Sequence, residues 1–393
     1  MRARKASSTQ KKLNMILFGE QFTGKSSLAS QLAYMHNEDG SPMRVLYIDC
    51  ESGSIDNYLD KMEADGIDLN NILICYTQSL GEVLDLVNKV TNNEDFYYPE
   101  DDGSEGDEVV LDAEGRNFRA DAIVIDGVSV LYTAAQQGLL EFSKKRARVR
   151  AENNGLVGDA KLVSIEGASM EQKDWGSLKY KGANLCLSLL GTGTHNVITC
   201  REDDEKIQVN VDGKVTSVPT GKKIPMGFKG DPLYNMHTVV HLYRDDDDNV
   251  VADVQKDRSG VHPREKVVDP TLLDWQVVID GNKGKKDFVL RNSLATAVET
   301  EQEIYSAEVM SNATKSMSKS DMEKAKASEP AVDTSTEDAA TLKAEIKAAI
   351  SKLSPVEKKE MQGKLTAAGL PTAYTKESDV DTLAKILSVV APN

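Results

Sequence analysis

Residues 15–33 of the chain read MILFGEQFTGKSSLASQLA, and this stretch decides the fold. The glycine-rich part matches the pattern G-x-x-x-x-G-K-[ST] of a phosphate-binding P-loop. The apolar run 15–18 predicts a short buried strand before the loop, and residues 27–33 predict a helix after it. Strand, loop and helix in this order aim backbone N–H groups at phosphate, so we expect a nucleotide ligand. The residues expected to hold it are Gly19, Glu20, Gln21, Phe22, Thr23, Gly24, Lys25, Ser26 and Ser27.

Two side chains of the P-loop have separate predicted roles. Lys25 is expected to reach the β- and γ-phosphates, and the hydroxyl of Ser26 is expected to hold Mg²⁺. Residues 122–127 read AIVIDG, an apolar strand that ends in a carboxylate. Downstream of a P-loop, this pattern predicts that Asp126 binds Mg²⁺ through water. The expected cofactors are a nucleoside triphosphate and Mg²⁺, and no base-specific motif separates ATP from GTP.

Two further predicted strands end in polar residues that suit triphosphate chemistry. Residues 47–51 read YIDCE. A carboxylate beside the P-loop strand can orient and deprotonate an attacking water, which predicts Glu51 as the general base. The alternative is an exposed glutamate at the start of a helix. Residues 196–201 read NVITCR, where Arg201 is the predicted sensor of the γ-phosphate and Thr199 is the alternative.

A pair of cations in the segment 254–260, VQKDRSG, predicts a contact between subunits. Lys256 and Arg258 occupy alternate positions of a predicted strand, so their side chains are expected on one face. If that face meets a neighbouring copy, both cations can stabilise phosphate charge there, as an arginine finger supplied in trans does. The alternative is a pair of solvated cations at the end of a strand.

The composition narrows the class of protein. The chain has 393 residues, a net charge of −16 and 40% hydrophobic residues, so it is long enough for more than one domain. The acidic balance argues against a protein that coats nucleic acid with its whole surface, but it leaves a local basic groove open. No stretch approaches the roughly 20 apolar residues of a membrane span. The basic N-terminus lacks the apolar region of a secretory signal, so we expect no membrane association and a cytoplasmic location.

Apolar strand-like runs alternate with helical patterns across residues 13–290, which predicts an α/β domain with a central, mostly parallel sheet. An acidic insertion within 92–117 is expected to form an exposed loop or a small hairpin. The runs 238–243 and 250–255 are expected to form a hairpin around the aspartate-rich turn 245–249. The expected strands are 14–18, 44–49, 72–76, 122–126 and 196–199, and the expected helices include 25–35, 80–91 and 175–190.

The two ends of the chain differ from this domain in composition. Residues 1–12 predict a basic disordered tail, and residues 291–338, rich in Ser, Thr, Glu, Lys and Ala, predict a flexible linker. Residues 339–393 show apolar positions at helical spacing and predict a C-terminal helical module. The module contains no catalytic constellation, and we expect it to dock a protein partner.

In order and spacing, the P-loop followed by 48–51, 123–129 and 256–260 resembles the RecA-like ATPases. The stretch from 174–177 through 196–199 is most similar to phage-encoded RecA-like NTPases of the single-strand annealing (Sak) group. The resemblance spans roughly residues 13–268. It implies a central parallel sheet, Mg-ATP hydrolysis between subunits of a ring or filament, single-stranded DNA held by two loops, and a host cytoplasm for a phage-encoded chain. Arg201 stands where recombinases usually have glutamine, and Ser259 stands where related motifs carry an aromatic residue.

Two cationic segments correspond to the DNA loops that the resemblance implies. The first is the run 144–150, KKRARVR, and the second lies within 214–229, where glycines give flexibility and an aromatic residue is available to stack on a base. The alternative for each is a solvated basic face. The predicted DNA-binding residues are Lys144, Lys145, Arg146, Arg148, Arg150, Lys222, Lys223, Phe228 and Lys229.

Three functions remain open from the sequence. The first is a DNA-dependent ATPase of recombination, repair or annealing, assembled as a homo-oligomer on single-stranded DNA. The second is a replicative helicase or a helicase loader with the same motor. The third is a nucleotide-gated interaction protein whose acidic insertion and C-terminal helices recruit partners, with little affinity for DNA.

Overall fold

The computed structural model of the chain describes residues 10–100, 104–211, 214–227 and 231–285 in its larger part. Towards the C-terminus it describes residues 298, 300–304, 343, 346, 350, 361, 364–365, 370–371 and 379–390. The chain divides into two compact units, Met1–Val298 and Glu299–Asn393. The predicted domain limits at 290 and 338 remain predictions, because the predicted linker lies outside the described residues except at 298 and 300–304.

The first unit is built on one large sheet with helices on both faces. Its strands are β1 Asn14–Gly19, β2 Val45–Asp49, β3 Ile72–Tyr76, β4 Tyr97–Pro99, β5 Glu105–Val109, β6 Ala122–Asp126, β7 His195–Val211, β8 Lys214–Pro225, β9 Thr238–Arg244, β10 Val250–Asp257 and β11 Lys266–Val268. Its α-helices are α1 Lys25–Ser30, α2 Asp56–Ala64, α3 Leu80–Asn92, α4 Val128–Asn153, α5 Gly158–Glu166, α6 Gln172–Gly191, α7 Asp231–Asn235 and α8 Gln276–Asp280. Short 3₁₀ helices span Gln31–Tyr34, Leu69–Asn71 and Leu272–Trp275.

The strand order across the sheet is β11-β10-β9-β1-β7-β6-β2-β3, with β8 paired to β7. The pairings from β9 through β3 are parallel, whereas β8, β10 and β11 run antiparallel to their neighbours. The P-loop strand β1 is therefore separated from the Asp126 strand β6 by one strand, β7. The predicted α/β fold with a central, mostly parallel sheet is confirmed.

The central strands form from mostly apolar segments that are buried along their whole length. All positions of β1, β2 and β6 are buried, as in a parallel sheet covered on both faces. Alternate residues feed two separate cores: Val124 packs in one, and Ile123 and Ile125 pack in the other. Helices α1, α2 and α8 contribute to the first core, while α3, α4 and α6 contribute to the second.

One strand is much longer than the sequence predicts. The expected strand 196–199 is only the buried base of β7, which continues to Val211 and turns back as β8. From residue 206 to residue 222, the positions of this hairpin whose burial is described are exposed. The prediction of a flexible glycine- and lysine-rich loop at 214–225 was wrong, because its cross-strand bonds to β7 hold it as a strand. The prediction used runs of apolar residues, which mark strands that are buried on both faces. Such runs do not reveal the exposed part of β7, which extends beyond the core.

The two predicted acidic features both have local structures. Part of the insertion 92–117 forms the hairpin β4–β5, which is the hairpin alternative of the prediction. The predicted hairpin β9–β10 is confirmed. In its turn, the carboxylate of Asp245 accepts hydrogen bonds from the backbone N–H groups of Asp247 at 3.0 Å and Asn249 at 2.9 Å. The aspartates thus shape the turn through side chain to backbone bonding.

The second unit has its own small core. Its buried residues are Ile346, Met361, Leu365, Leu383, Ile386 and Val390. The last three lie on the helix Val380–Val390, at the helical spacing predicted for residues 339–393. Within the described parts of the chain, we find no helix with the length and apolar character needed to cross a membrane.

His195, at the start of β7, makes the stability of the first unit depend on pH. Its ring is 1% exposed, and its Nδ1 accepts a hydrogen bond from the Leu13 N–H at 3.2 Å. Burial lowers the pKa of His195 to about 3, with a smaller contribution from Lys12. Because the unfolded chain takes up this proton near pH 6.5, stability is unaffected above that pH and falls as the pH drops towards 3.

We expect acidification from pH 7.5 to 5.0 to cost about 2 kcal/mol of unfolding free energy through His195 alone, at about 1.4 kcal/mol per pH unit below 6.5. Urea unfolding at the two pH values measures this cost. In His195→Gln, the loss should be smaller by that amount, whatever its stability at pH 7.5. An equal loss in both proteins would contradict the assignment.

Candidate functional site

The P-loop backbone follows β1 in a conformation that only certain residues permit. A Cβ on Gly19 would lie 1.9 Å from the carbonyl oxygen of Leu242, so only glycine fits against β9. Gly24, with φ +79°, is the N-cap residue of α1. Phe22 has φ +60° and is 85% exposed. The Arg244 guanidinium holds this strained position by donating to the Phe22 carbonyl at 3.0 Å.

Lys25 lies at the mouth of the loop. Its ammonium donates to the carbonyl oxygen of Gly19 at 3.1 Å and to that of Glu20. Burial lowers the pKa of Lys25, while the charges of Glu51, Asp126 and Glu202 act in the opposite direction. Lys25 is therefore a cation surrounded by carboxylates. It would supply the positive charge that a phosphate needs in order to bind there.

Asp126, at the end of β6, is 1% exposed and surrounded by hydroxyl groups. Its Oδ1 accepts from Ser26 at 3.1 Å and from Thr199 at 2.5 Å. Its Oδ2 accepts from Tyr47 at 2.8 Å and from Ser54 at 2.6 Å. The contact between Ser26 and Asp126 joins the two residues predicted to hold Mg²⁺.

The donor set at this point fits Mg²⁺. The hydroxyl of Ser26 and the carboxylate of Asp126 are hard oxygen ligands, and Mg²⁺ takes one or two such protein groups together with phosphate oxygens. Among the residues described, there is no group of three or more His, Cys, Asp or Glu side chains that could hold a metal without such help. The site therefore suits a metal that arrives with a nucleotide.

Thr199, the alternative γ-phosphate sensor, has another role. It is buried, and its hydroxyl accepts from the Gly127 N–H at 2.8 Å. That contact directs the hydroxyl proton to Asp126. Thr199 thus supports the carboxylate of Asp126, and it is not among the residues that line the cavity at the P-loop.

Glu51 follows β2 on a turn that is shaped by Asp49. The buried Asp49 carboxylate accepts from the backbone N–H groups of Glu51 at 2.8 Å, Gly53 at 3.0 Å and Ser54 at 2.6 Å. Glu51 packs over Gly127, where an added Cβ would lie 2.6 Å from the Glu51 Cγ. Helix α2 begins only at Asp56, so the alternative of a glutamate at a helix start was wrong.

Arg201 and Glu51 form an ion pair across the site. The Arg201 guanidinium donates to Oε1 of Glu51 at 3.0 and 3.3 Å. The backbone N–H of Arg201 donates to the Ser129 hydroxyl at 3.0 Å, which ties the end of the buried part of β7 to the start of α4. The predicted base and the predicted sensor are therefore direct neighbours.

Glu202 is a carboxylate that the sequence analysis missed. It accepts from His241 at 2.8 Å and pairs with Lys223 of β8 at 3.0 Å. Burial alone would raise the pKa of Glu202, but the bonds from His241 and Lys223 outweigh it and lower the pKa. Lys223 meets Glu202 across the pairing of β7 with β8, and His241 meets it from β9 across the intervening strand β1. These contacts join separate strands, so no local sequence pattern could have indicated them.

These residues share one cavity of about 780 Å³ at the carboxyl ends of the parallel strands. It is lined by the P-loop together with Glu51, Tyr58, Arg201 and Glu202. Asp126 lies beneath it, bonded to Ser26. The cavity thus combines a backbone cradle, a cation, a metal-binding pair of oxygens and a carboxylate able to accept a proton.

Lys256 does not have the free side chain that was predicted. Its ammonium donates to the carbonyl oxygens of Leu233 at 2.9 Å, Tyr234 at 2.9 Å and Met236 at 2.6 Å, which occupies all three donors at the end of α7. The geometry gives Lys256 a structural role and contradicts its prediction as part of a trans finger.

Arg258 is placed differently. It is exposed, and within the described part of the chain its guanidinium has no hydrogen-bond or ion-pair partner. Asp257 pairs with Thr238 at the start of β9, whereas Gly19 pairs with Leu242 near the end of β9. Arg258 therefore lies roughly 15 Å along the strands from the P-loop of its own chain, at about 3.3 Å per residue.

The predicted DNA-binding cations lie on regular elements, and most are paired. The run 144–150 is part of α4 and not a loop. Lys144 pairs with Glu166 at 2.9 Å, Arg146 with Asp174 at 2.5 Å and Arg150 with Glu171 at 2.7 Å.

In the second segment, Lys223 also contacts Asp204 at 3.1 Å, and Lys222 lies 3.8 Å from Glu205. Lys145 and Arg148 are exposed, without an ion pair to any residue that the structure describes. Phe228 and Lys229 lie outside the described residues. The unpaired positive charge is thus smaller than the sequence runs indicate.

No family model matches this chain, and no curated protein does. Among solved structures, a similar one is the crystal structure of the KaiC-like protein PH0186 from the hyperthermophilic archaeon Pyrococcus horikoshii OT3. The two share 13% sequence identity with a TM-score of 0.33, over 66% of this chain and 89% of that chain.

Proposed function

We propose that this chain is a Mg²⁺-dependent ATPase of the RecA-like type that hydrolyses ATP between subunits of a homo-oligomer and acts on single-stranded DNA in recombination, repair or annealing. The observation that carries the proposal is the convergence of Lys25, Ser26, Glu51 and Asp126 on one cavity. A cytoplasmic setting, in the host where the chain is phage-encoded, belongs to the same proposal.

The proposed mechanism assigns separate parts in hydrolysis to the P-loop and to five side chains at the cavity. The P-loop N–H groups and Lys25 bind the phosphates, and Ser26 with Asp126 would hold Mg²⁺. When bound, Mg²⁺ neutralises charge on the β- and γ-phosphate oxygens. Glu51 accepts the proton of the attacking water, and Arg201 orients the Glu51 carboxylate and senses the γ-phosphate.

Assembly follows from the position of Arg258. At roughly 15 Å from its own P-loop, this exposed cation is too far away to reach its own nucleotide. In a head-to-tail oligomer the same residue meets the nucleotide of the next copy, which is the arrangement of an arginine finger. The proposed catalytic unit is therefore the seam between two copies.

We expect Arg258→Ala to bind ATP normally but to hydrolyse it 10³-fold or more slowly, on the order of what an arginine finger contributes. Steady-state turnover and nucleotide binding measure the two properties. Arg264→Ala removes another exposed arginine nearby and should behave as the wild type. Undiminished turnover by Arg258→Ala would reject the trans role.

The DNA part of the proposal is supported by exposed cations on α4. Lys145 and Arg148 lie three residues apart on this helix, so they are neighbours on its surface. Further phosphate contacts would require Lys144, Arg146 or Arg150 to exchange their carboxylate partners for phosphate. Such exchange predicts weak binding that is strongly reduced by salt.

One observation favours the nucleotide-gated interaction protein as a second candidate. The described part of the β7–β8 hairpin from 202 to 225 carries as many acidic as basic residues. It also exposes Ile207 by 52% and Val215 by 67%. A neutral surface with apolar β-branched residues suits a protein contact better than a phosphate backbone.

ATP turnover with and without single-stranded oligonucleotide, together with DNA binding at low and high salt, tests these functions. Stimulated turnover and salt-sensitive binding support the first candidate. Unchanged turnover with no binding at low salt removes the DNA claim and leaves the second candidate. Unwinding of a forked duplex would instead identify a helicase motor.

A further inference from the structure

Four hydroxyl groups occupy the hydrogen-bonding positions of the Asp126 carboxylate. An ionised carboxylate has about four lone-pair sites, and the chain places two hydroxyls on each oxygen of Asp126. Ser26 and Thr199 donate to Oδ1, while Tyr47 and Ser54 donate to Oδ2. Only the Oδ1 side includes a residue that lines the nucleotide cavity, namely Ser26.

Strand register explains how Tyr47 reaches Asp126. Asp49 pairs with Asp126 across β2 and β6, and Tyr47 precedes Asp49 by two residues on the same side of the strand. Two residues span about 6.6 Å, which a tyrosine side chain can bridge along the sheet. Tyr47 is 1% exposed, and its hydroxyl donates to Oδ2 of Asp126 at 2.8 Å.

Ser54 joins Asp126 to the turn that carries Glu51. Its backbone N–H bonds to Asp49 at 2.6 Å, and its hydroxyl bonds to Oδ2 of Asp126 at 2.6 Å. The hydroxyl also lies 3.1 Å from Asp49, but its single proton serves the shorter contact. Ser54 therefore fixes the distance between the metal-binding carboxylate and the turn of the proposed base.

We propose that Tyr47 and Ser54 are positioning residues of the metal–nucleotide site, which hold Oδ2 of Asp126 so that Oδ1 stays directed at Ser26. The inference rests on the proposed function, because it assigns the metal to Ser26 and Asp126. Loss of either hydroxyl leaves one lone pair of a buried carboxylate unsatisfied and frees the group to rotate. Groups that support metal ligands in this way contribute substantially to metal affinity.

We test this with Tyr47→Phe, which removes one oxygen from a buried ring. EPR follows the binding of Mn²⁺ together with a slowly hydrolysed ATP analogue, and we expect the Mn²⁺ dissociation constant to rise roughly 10- to 100-fold. The Mg²⁺ concentration needed for half-maximal turnover should rise in parallel. Tyr34→Phe is the matched control, because it removes a tyrosine–aspartate bond of 2.8 Å, to Asp65, away from the site.

Ser54→Ala is the second variant, and it decides the matter if Tyr47→Phe does not fold. A raised Mn²⁺ dissociation constant in Ser54→Ala, with an unchanged melting temperature, supports the positioning role. Values within twofold of wild type in every folded variant would overturn it, while the ATPase proposal would stand. Failure of the wild type to bind Mn²⁺ with the analogue would overturn both.

Discussion

Replacement of Glu51 by glutamine is expected to lower the rate of ATP hydrolysis by roughly 10²- to 10⁴-fold, the usual contribution of a general base. Glutamine has nearly the same shape, so the packing over Gly127 is retained. It is not able to accept the proton of the attacking water. Nucleotide binding should remain within a few-fold of wild type, because Glu51 contributes no positive charge to the phosphates.

Single-turnover hydrolysis and equilibrium binding of a fluorescent ATP analogue separate the two effects. Glu63→Gln, on the exposed side of α2, is the matched control and should hydrolyse ATP at the wild-type rate. If Glu51→Gln also keeps the wild-type rate, the assignment of the base fails. Glu202 would then be the next carboxylate to test, because it lines the same cavity.

Lys25→Ala is expected to weaken ATP binding by roughly 100-fold or more, the larger end of what a hydrogen bond to a charged group contributes. The reason is the charge around it. Glu51, Asp126 and Glu202 all act on the Lys25 ammonium, so a triphosphate without it would face uncompensated carboxylates. The unfolding free energy should change little, since burial already makes the charged form of Lys25 costly.

Isothermal titration with the ATP analogue and Mg²⁺ measures this loss. Lys61→Ala removes an exposed lysine from α2 and should leave the affinity unchanged. If Lys25→Ala keeps the wild-type affinity, the P-loop does not carry the nucleotide, and the placement of the triphosphate is wrong.

The sequence predicts well those elements whose structure is determined by a short, continuous segment. An apolar run that ends at a glycine-rich loop leaves few alternatives, so β1 and the P-loop were predicted closely. The same holds for β6 and Asp126. In each case, the apolar residues of a short segment are enough to indicate that the strand is buried on both faces.

The supporting residues of the site depend on register, which a single sequence does not display. Tyr47, Glu202 and Arg244 reach the cavity or its loop because their strands lie beside β6, β8 and β1. Lys256 shows the opposite error. Its spacing from Arg258 predicts two free cations on one face, but the carbonyl groups at the end of α7 bind the Lys256 ammonium within its own chain.

The cationic runs show how pairing changes a prediction. KKRARVR reads as a basic patch, yet helix geometry brings Lys144, Arg146 and Arg150 against carboxylates of α5 and α6 or of the segment that precedes α6. Those partners lie 21 to 28 residues further along the chain. A count of charges within the run does not include these carboxylates. The run therefore suggests more unpaired positive charge than the structure has.

Mixing two impaired variants tests most directly whether ATP is hydrolysed at the interface between two copies. Glu51→Gln retains Arg258, and Arg258→Ala retains Glu51, so each alone is expected to be nearly inactive. In an equal mixture that exchanges subunits, about one quarter of head-to-tail interfaces combine an intact Glu51 with an intact Arg258. We predict that the mixture recovers about that fraction of the wild-type ATPase rate. A mixture of exchanged subunits that hydrolyses ATP no faster than the mean of the two separate variants would contradict catalysis between copies.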